Sequence, residues 1–600
     1  MIKSTLWAIQ KLSTFKTAKR VSFKLKMMKK SFILNILLTS IVIFLILPSC
    51  GKKTDPDRIL RISNPFQDAL YPPEFPSPLF EWWSLKQDKS DSYEVRLFTD
   101  NKKLSYSFTV SEQQWSPREE AWDSIKLFSE HKKIHFTVKR AGIDEKEAAV
   151  SFSLASDSVG APVLYRQMPI PFLFAERNLD SMNFVLINFG SRQKPHVAMK
   201  GFPVCGNCHS LSFDGSTLGL DLDAGLRDKG GYFVTKVQDT ILFNIEKYNS
   251  WSRMEKRRTF GLFSKVSPDG RFIVTTVKDR VVMKNFPIGG TLDELKYSQL
   301  FFPVNGHLAI YDLQTKTLKE LPGANSEEYV QSNAVWTPDG KNIIFCRAEA
   351  LPREGKMHEI DIKDEKLVEQ YVKREKKLKY DLYIIPFNDG NGGKAEPIRG
   401  ASDNGMSNYF PAVSPDGKWI VYCQSESFML LQPDSRLHII PLKGGKSHML
   451  KSNYKSMNSW HAWSPNSRWL VFVSKVYSPY TDMFLTHIDE KGNASVPVLV
   501  DRARVPYTVV NYPEFVNSKP DKTFVMQYDF VEIAHIFKAV KAGDFVKAKE
   551  LYYKYEKQNP FLFKQDCLDL ALMLKLMGLP EEAKKYDELA KVTIDTEVFK

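Results

Sequence analysis

Ser267-Pro268-Asp269-Gly270-Arg271 is followed directly by the apolar segment Phe272-Ile273-Val274-Thr275, and this pairing recurs along the chain. Proline presets φ at the first turn position, and Asp-Gly accepts the positive φ that closes a hairpin. Each copy therefore predicts a tight turn followed by a buried strand. The other copies are Thr337-Pro338-Asp339-Gly340-Lys341, Ser414-Pro415-Asp416-Gly417-Lys418, Ser464-Pro465-Asn466-Ser467-Arg468 and the degenerate Ser212-Phe213-Asp214-Gly215-Ser216. Repetition of one turn-strand unit at this scale predicts stacked β-sheet blades.

A second strand pattern follows three of these turns, at residues 308–313, 382–386 and 437–441. The S-P-D-G-[RK] signature resembles the repeat of TolB-type, WD40-like (PD40) β-propellers. The resemblance implies a β-propeller over residues 171–525. Cys346 and Cys423 lie at equivalent places in two of its blades, too far apart for a disulfide, and are interpreted as buried apolar residues.

The N-terminus is interpreted as an export signal. Lys29-Lys30 precede an apolar run over residues 31–47, which ends at Leu47-Pro48-Ser49-Cys50. The segment resembles a bacterial lipoprotein signal, which implies a signal peptide over 1–50, acylation of Cys50 and a tether over 51–70. We therefore expect a cell-envelope protein anchored to the outer membrane, with the lipid bilayer as a partner. A single membrane-spanning anchor is the alternative interpretation.

The charge of the chain gives no reason to expect nucleic-acid binding. The formal net charge is +14, but residues 1–50 contain nine Lys or Arg and no acidic residue. Without them the charge falls to about +5 over the remaining chain, which argues against a phosphate-binding groove.

Two further segments flank the predicted propeller. Residues 71–170 contain alternating apolar and polar positions, as at 93–98 and 104–110, and resemble an immunoglobulin or fibronectin type III sandwich. Residues 526–600 become helical, and the 542–548 pattern recurs 35 residues later at 577–583, which resembles a tetratricopeptide repeat. The fold class is thus mainly β, with a sandwich, a propeller and a small α-helical tail. The tail is expected either to cap the propeller or to bind a partner.

Cys205-Gly206-Asn207-Cys208-His209 has the C-x-x-C-H spacing that attaches a c-type haem. In this hypothesis Cys205 and Cys208 form thioethers and His209 is the proximal ligand of the iron. The sixth ligand is left open. Its candidates are His196, Met199, Met254 and His461.

Residues 210–215, after the motif, predict a turn and a strand, whereas small cytochromes have a packed helix there. The motif is therefore predicted within the first blade or at its edge. Two alternatives to haem c remain open at this point: a C-x-x-C disulfide that staples a loop, and a metal site such as zinc with a distant fourth ligand. The three aspartates Asp221, Asp223 and Asp228 are interpreted either as a propeller loop or as a cation site.

No catalytic centre is predicted, because the chain contains neither H-E-x-x-H nor G-x-S-x-G, and whether it is an enzyme is left open. The whole resembles exported lipoproteins of Bacteroidetes type that combine a propeller, a C-x-x-C-H motif and a tetratricopeptide tail. This resemblance implies a membrane-anchored scaffold for haem binding or electron transfer. The alternative is a cofactor-free envelope scaffold that binds proteins or glycans and has a structural C-x-x-C disulfide. A propeller hydrolase or lyase is the third hypothesis.

Overall fold

The structure is a computed structural model. It describes residues 58–593 except for 87–90, 101–103, 130–131, 203–204, 225–227, 286–294, 296, 298, 354–359 and 559–561. The predicted signal peptide and Cys50 lie outside the described residues. Among the described helices, none combines the length and apolar character that a membrane crossing requires. The fold is mainly β, with helices at the C-terminal end.

The N-terminal module consists of two small sheets and one helix. Its elements are β1 (Arg61–Asn64), β2 (Leu70–Tyr71), β3 (Phe80–Trp83), β4 (Tyr93–Thr99), β5 (Ser105–Val110), β6 (Gln114–Trp115), α1 (Glu119–Ser129), β7 (Ile134–Arg140) and β8 (Ala148–Leu154). The sheets have the orders β2-β8-β7-β4-β5 and β1-β3-β6. They face each other, since the rings of Phe80 and Phe136 stack with centroids 4.3 Å apart. The likeness to an immunoglobulin sandwich stays a prediction.

The strands of the propeller and its surroundings are numbered in chain order. They are β9 (Val163–Pro169), β10 (Asn183–Ile187), β11 (His196–Lys200), β12 (Cys205–Leu211), β13 (Thr217–Ala224), β14 (Asp228–Lys236), β15 (Thr240–Asn244), β16 (Tyr248–Ser250), β17 (Lys265–Val266), β18 (Phe272–Asn285), β19 (Gln299–Asp312), β20 (Thr317–Glu320), β21 (Tyr329–Trp336), β22 (Asn342–Glu349), β23 (Asp361–Ile362), β24 (Asp381–Pro386), β25 (Glu396–Pro397), β26 (Ser407–Val413), β27 (Trp419–Ser425), β28 (Arg436–Pro441), β29 (His448–Met449), β30 (Asn458–Trp463), β31 (Trp469–Ser474), β32 (Asp482–His487), β33 (Val498–Leu499), β34 (Thr508–Phe515) and β35 (Val525–Asp529). The helices in this part are α2 (Phe172–Arg177), α3 (Trp251–Glu255) and α4 (Glu365–Val372).

Within the described part of the chain, these strands form a propeller of six four-stranded blades. Blade 1 has the order β34-β9-β10-β11, and blade 2 has the order β12-β13-β14-β16. The others are β17-β18-β19-β20, β21-β22-β24-β25, β26-β27-β28-β29 and β30-β31-β32-β33, which we number 3 to 6. The first strand of each order is innermost and contacts the innermost strands of both neighbouring blades. The propeller predicted from the repeat is thus confirmed.

Blade 1 closes the ring with strands from both ends of the propeller sequence. Its innermost strand β34 pairs antiparallel with β9, more than three hundred residues earlier in the chain. The propeller therefore begins at Val163, ahead of the predicted boundary at residue 170. Likewise β1 lies inside the predicted tether and pairs with β3. Neither segment carries the turn signature, so the repeat could not locate these edges.

The turns are built as their sequence predicts. In the turn at Ser267, the side-chain oxygen of Ser267 accepts a hydrogen bond from the Phe272 amide at 2.8 Å, and the Gly270 amide donates to the Ser267 carbonyl. The degenerate copy folds in the same way, since the Thr217 amide donates to the Ser212 hydroxyl at 2.9 Å. These local bonds orient each following strand toward the blade interior.

The C-terminal part forms four helices: α5 (Ile533–Lys541), α6 (Phe545–Lys557), α7 (Lys564–Leu576) and α8 (Pro580–Val592). Gly543 and Gly578 adopt left-handed conformations in the α5–α6 and α7–α8 turns, with φ of 75° and 73°. Ala548 and its equivalent Ala583, 35 residues later, are buried in one common core with Tyr552 and Tyr586. A helical tail is thus confirmed, and its assignment as a tetratricopeptide repeat stays a prediction.

Candidate functional site in the propeller channel

The six innermost strands line a central channel, and five of them carry a β-bulge. In blades 1, 4, 5 and 6 the pairing register shifts at equivalent places, for example between Tyr409 and Ala412 in β26. In β12 the register shift lies between Gly206 and His209, one residue further from the following turn than in the other blades. A bulge inserts an unpaired residue and re-aims its side chain. The same device is thus repeated around the channel.

One ring of side chains, which we call the collar, comes from the fourth residue before each of the five turns and, in blade 1, from the equivalent position in the bulge of β34. It consists of Cys208, Phe263, Asn333, Phe410, Trp460 and Tyr512. Every collar residue except Cys208 has a left-handed backbone, with φ between 46° and 57°. Such a conformation is uncommon for residues other than glycine, and it concentrates at functional sites. Cys208 of the C-x-x-C-H motif therefore occupies a position at which four other blades have an aromatic ring.

The aromatic rings of the collar contact one another across the channel. Ring centroids are 5.4 Å apart for Phe263 and Phe410, 4.8 Å for Phe410 and Trp460, and 4.8 Å for Trp460 and Tyr512. The rings separate two cavities that share Phe263, Trp460 and Tyr512 as lining. We call the cavity at the prolines of the turns the turn-side vestibule and the opposite one the far vestibule.

The turn-side vestibule, of about 250 Å³, has one charged wall and one apolar wall. Both walls are formed by the side chains two residues after the collar positions, which are Ser210, Lys265, Val335, Ala412, Ala462 and Glu514. Lys265 Nζ lies 3.2 Å from Glu514 Oε1 and 4.9 Å from the centroid of the Tyr512 ring. Burial raises the pKa of Glu514, and the nearby Lys265 ammonium opposes this shift. The charges therefore lie in blades 1 and 3, opposite small side chains in blades 4 to 6.

Several enclosed polar atoms of residues around this vestibule have no well-aligned hydrogen-bond partner in the protein. They are both amide atoms of Asn333, the indole Nε1 of Trp460 and Glu514 Oε2. Asn333 is only 4% exposed, so its amide is a buried group. Leaving such groups unsatisfied costs about 1–3 kcal/mol each. These atoms have almost no accessible surface of their own, so a ligand in the vestibule would not reach them without a local rearrangement.

The far vestibule, of about 190 Å³, is more apolar and contains the Cys208 thiol. Arg166 donates to Asn207 Oδ1 at 3.1 Å, and thus holds the motif strand against blade 1. Lys229 Nζ pairs with Asp223 Oδ2 at 2.7 Å. Burial raises the pKa of the Cys208 thiol to about 12, so the thiol is protonated at neutral pH and is a weak nucleophile.

The structure places His209 away from both vestibules. The imidazole is fully buried, and its edge contacts are with Phe184 and Tyr512 at centroid distances of 6.1 and 5.6 Å. Its Nε2 lies 3.9 Å from Glu514 Oε2, and neither ring nitrogen has a well-aligned hydrogen-bond partner. Burial lowers the pKa of His209 to about 3, and the positive charge of Lys265 adds to this shift. The ring is therefore neutral at physiological pH.

This geometry does not fit the attachment of a c-type haem. Cys205 and Cys208 both lie on the strand β12, with a β-bulge after Gly206, and not on the packed helix of a small cytochrome. Cys208 faces the far vestibule, whereas His209 is enclosed between aromatic rings, so one porphyrin would not reach both residues. We therefore derive no step through haem, and the haem c hypothesis is left to the experiment below.

The other sequence hypotheses for this motif find no support either. Cys208 is a free thiol, so the disulfide staple is not formed. The part of the chain that the structure describes contains no cluster of three His, Cys, Asp or Glu that could hold a metal. Among the suggested sixth ligands, His196 and His461 bond to main-chain carbonyls, Met199 is packed in a hydrophobic core, and Met254 is half-buried. Asp221, Asp223 and Asp228 lie on the strands β13 and β14 of blade 2.

We expect the protein to lack covalent haem even when it is produced with a c-type maturation system, because His209 is enclosed. A pyridine haemochrome spectrum recorded after acid-acetone extraction should show no α-band. A known c-type cytochrome matured in the same strain is the positive control. A retained band that disappears in the C205S/C208S double variant would show that the motif does bind haem.

Lys265, Glu514 and Arg166 were not predicted from the sequence. A signal for Lys265 was present: when the five turns are aligned, three of the residues four positions before them are aromatic, and Lys265 is the only charge two positions before them. Glu514 in β34 and Arg166 in β9 have no such signal, because neither strand precedes a turn signature.

Comparison with known proteins gave structural likeness only. No protein-family model matches the sequence, and no curated protein matches it. Similar solved structures include TolB from Acinetobacter baumannii, with 13% identity, 64% of this chain and 79% of that chain covered, and a TM-score of 0.37. The periplasmic gluconolactonase of Pseudomonas aeruginosa is 12% identical over 55% and 81% of the two chains, with a TM-score of 0.30. Hydrazine synthase of Kuenenia stuttgartiensis is 14% identical over 59% and 89%, with a TM-score of 0.28. At these values the likenesses carry no functional argument, and the assignment of a propeller rests on the strand order.

Proposed function

We propose that this protein is an exported, lipid-anchored scaffold of the cell envelope that binds a small ligand in the turn-side vestibule. The observation that carries the proposal is a cavity of about 250 Å³ in which the Lys265–Glu514 ion pair lies opposite small side chains, above the aromatic rings of the collar. Concave sites that combine apolar walls with a few convergent polar groups are the usual form of small-molecule sites. Export and anchoring rest on the sequence around Cys50.

This proposal favours the cofactor-free hypothesis over haem binding or electron transfer. The reason is the position of His209, which is enclosed, and the free thiol of Cys208. The scaffold therefore needs no C-x-x-C disulfide in our proposal. The motif instead supplies a small collar side chain, Cys208, where other blades place an aromatic ring.

A labelling experiment tests for a ligand site without knowing the ligand class. In a C205S/C208S background, Ala462→Cys introduces a thiol into the wall of the turn-side vestibule. Thr315→Cys, in an exposed turn outside the channel, is the matched control. We expect the small-molecule fraction of an envelope extract to slow methanethiosulfonate labelling at position 462 at least several-fold and to leave position 315 unchanged. Equal rates with and without the extract at position 462 would contradict the proposal.

A further inference from the structure

We infer that one end of the N-terminal module enters the headgroup region of the lipid bilayer beside the acylated Cys50. The inference rests on the lipid anchor of the proposed function and adds a second membrane contact to it. We call this end of the module the tip and define it by Arg61, Trp83, Leu85 and Ile143. Three observations lead to the inference: the place where the chain enters the module, the exposed apolar side chains, and a buried arginine that holds their loops together.

The chain enters the N-terminal module at the tip. Arg61 begins β1 and pairs in register with Trp83, the last residue of β3. Arg61 follows Cys50 by eleven residues, and a stretch of this length spans at most roughly 40 Å. Of the two ends of the module, the tip is therefore the one that an acyl chain on Cys50 would keep close to the bilayer.

The tip exposes three large apolar side chains. Leu85 is 72% exposed, Ile143 42% and Trp83 39%. The guanidinium carbon of Arg61 lies 5.4 Å from the centroid of the Trp83 ring. Tryptophan beside a basic side chain suits the membrane–water interface, because the ring contacts acyl chains while the positive charge meets anionic headgroups. The leucine and isoleucine side chains are stabilised when they leave water for the acyl region.

A buried arginine holds together the two loops that carry these apolar side chains. Arg140 ends β7, and its side chain is only 1% exposed. Its Nη2 donates to Ser84 Oγ at 3.0 Å, and its Nη1 donates to Glu145 Oε2 at 3.0 Å. Leu85 directly follows the first of these partners, and Ile143 lies two residues before the second. Because both loops are already ordered, little conformational entropy is lost when they enter a lipid surface.

The module offers a matched control at its other end. Leu127 in α1 is 75% exposed, nearly the same as Leu85. The chain leaves α1 toward Ile134, which starts β7, whereas Arg140 at the tip ends it. A membrane contact of the tip should therefore affect a probe at position 85 and leave one at position 127 in water.

Fluorescence quenching in proteoliposomes tests this contact. The full chain, purified from membranes in the C205S/C208S background with either Leu85→Cys or Leu127→Cys, is labelled with a nitrobenzoxadiazole maleimide. It is reconstituted in equimolar phosphatidylethanolamine and phosphatidylglycerol, with or without phosphatidylcholine brominated near the carboxyl end of its acyl chains. We expect brominated lipid to lower the fluorescence at position 85 at least about twofold and to leave position 127 unchanged. Labelling is specific because the other cysteines of the described chain are buried, namely Cys346, Cys423 and Cys567.

A charge placed in the second loop shows whether the whole tip takes part. Ile143→Asp should reduce the quenching at position 85 at least about threefold, because a carboxylate resists leaving water. Phe128→Asp in α1 is the control, since Phe128 is 41% and Ile143 42% exposed, and it should leave the quenching unchanged. Quenching that persists in Ile143→Asp would contradict a contact by both loops and overturn the inference.

Flotation of the proteoliposomes in a density gradient separates this inference from the lipid anchor. If the chain floats with the vesicles but the probes at positions 85 and 127 respond equally, the inference is overturned and the anchor stands, since the tip would then face solvent or another protein. If the chain does not float, the anchor fails and the inference fails with it.

Discussion

Replacing His209 by leucine should remove a large part of the acid sensitivity of folding. The pKa of His209 is lowered from 6.5 to about 3 in the folded protein, mainly by burial. Between these values the unfolded chain binds a proton that the folded chain does not. Stability is therefore fully present above pH 6.5 and falls as the pH falls toward 3, by up to about 1.4 kcal/mol per pH unit.

Urea unfolding at a series of pH values measures this contribution. Between pH 6.5 and pH 4, the unfolding free energy of the wild type should fall by about 3 kcal/mol more than that of His209→Leu. The groups that face the imidazole, Glu514, Lys265, Arg166 and Tyr512, are present in both proteins. Phe184→Leu, which alters the packing beside His209 without removing a titrating group, should give a curve parallel to the wild type. A His209→Leu curve that is also parallel would show that the imidazole is not buried.

The second large effect concerns the ion pair in the channel. Lys265→Met should lower the unfolding free energy by about 3 kcal/mol, because Glu514 then remains buried without its counter-charge. The double variant K265M/E514L should recover most of this loss, since both charges and their desolvation costs are removed together. A double-mutant cycle at pH 7 in urea measures the coupling energy, which we expect to be about 2–3 kcal/mol.

An exposed pair provides the comparison for this cycle. Lys584 and Glu581 are separated by 2.8 Å on the surface of α8, where both side chains are more than two-thirds exposed. Their coupling should be about 0.5 kcal/mol or less, because solvent screens the interaction. Additive single effects at Lys265 and Glu514 would mean that the channel is as well hydrated as the protein surface.

The blades were predictable because their information is local. A proline, an Asp-Gly pair and a serine hydroxyl within five residues are sufficient to form each turn, as the hydrogen bonds around Ser267 and Ser212 show. The helical tail was predictable for the same reason, since the pattern at residues 542–548 recurs 35 residues later, at the spacing of one helical hairpin. Blade 1 was not predictable, because β34 and β9 are distant in sequence and carry no turn signature.

In the candidate site, too, the motif could be recognised from the sequence but the orientation of its side chains could not. The C-x-x-C-H motif has the spacing of a haem site, yet spacing does not report which side of a strand each residue faces. A single bulge in β12, one residue earlier than in the other blades, turns Cys208 toward a vestibule and leaves His209 enclosed. The ligating capacity of a residue pattern depends on such backbone detail, which arises only when the strand pairs with β13.

The amino-acid sequence by itself determined that this chain folds into repeated β-sheet blades with a helical tail, because turns and helical hairpins are encoded by residues close together in the chain. Tertiary structure alone decided how the ring closes, which side chains form the collar and where the imidazole of the motif lies. These features depend on hydrogen bonds between strands that are far apart in sequence, and on the burial that follows from them. A turn forms from interactions between neighbouring residues, whereas the channel forms only when six strands have assembled.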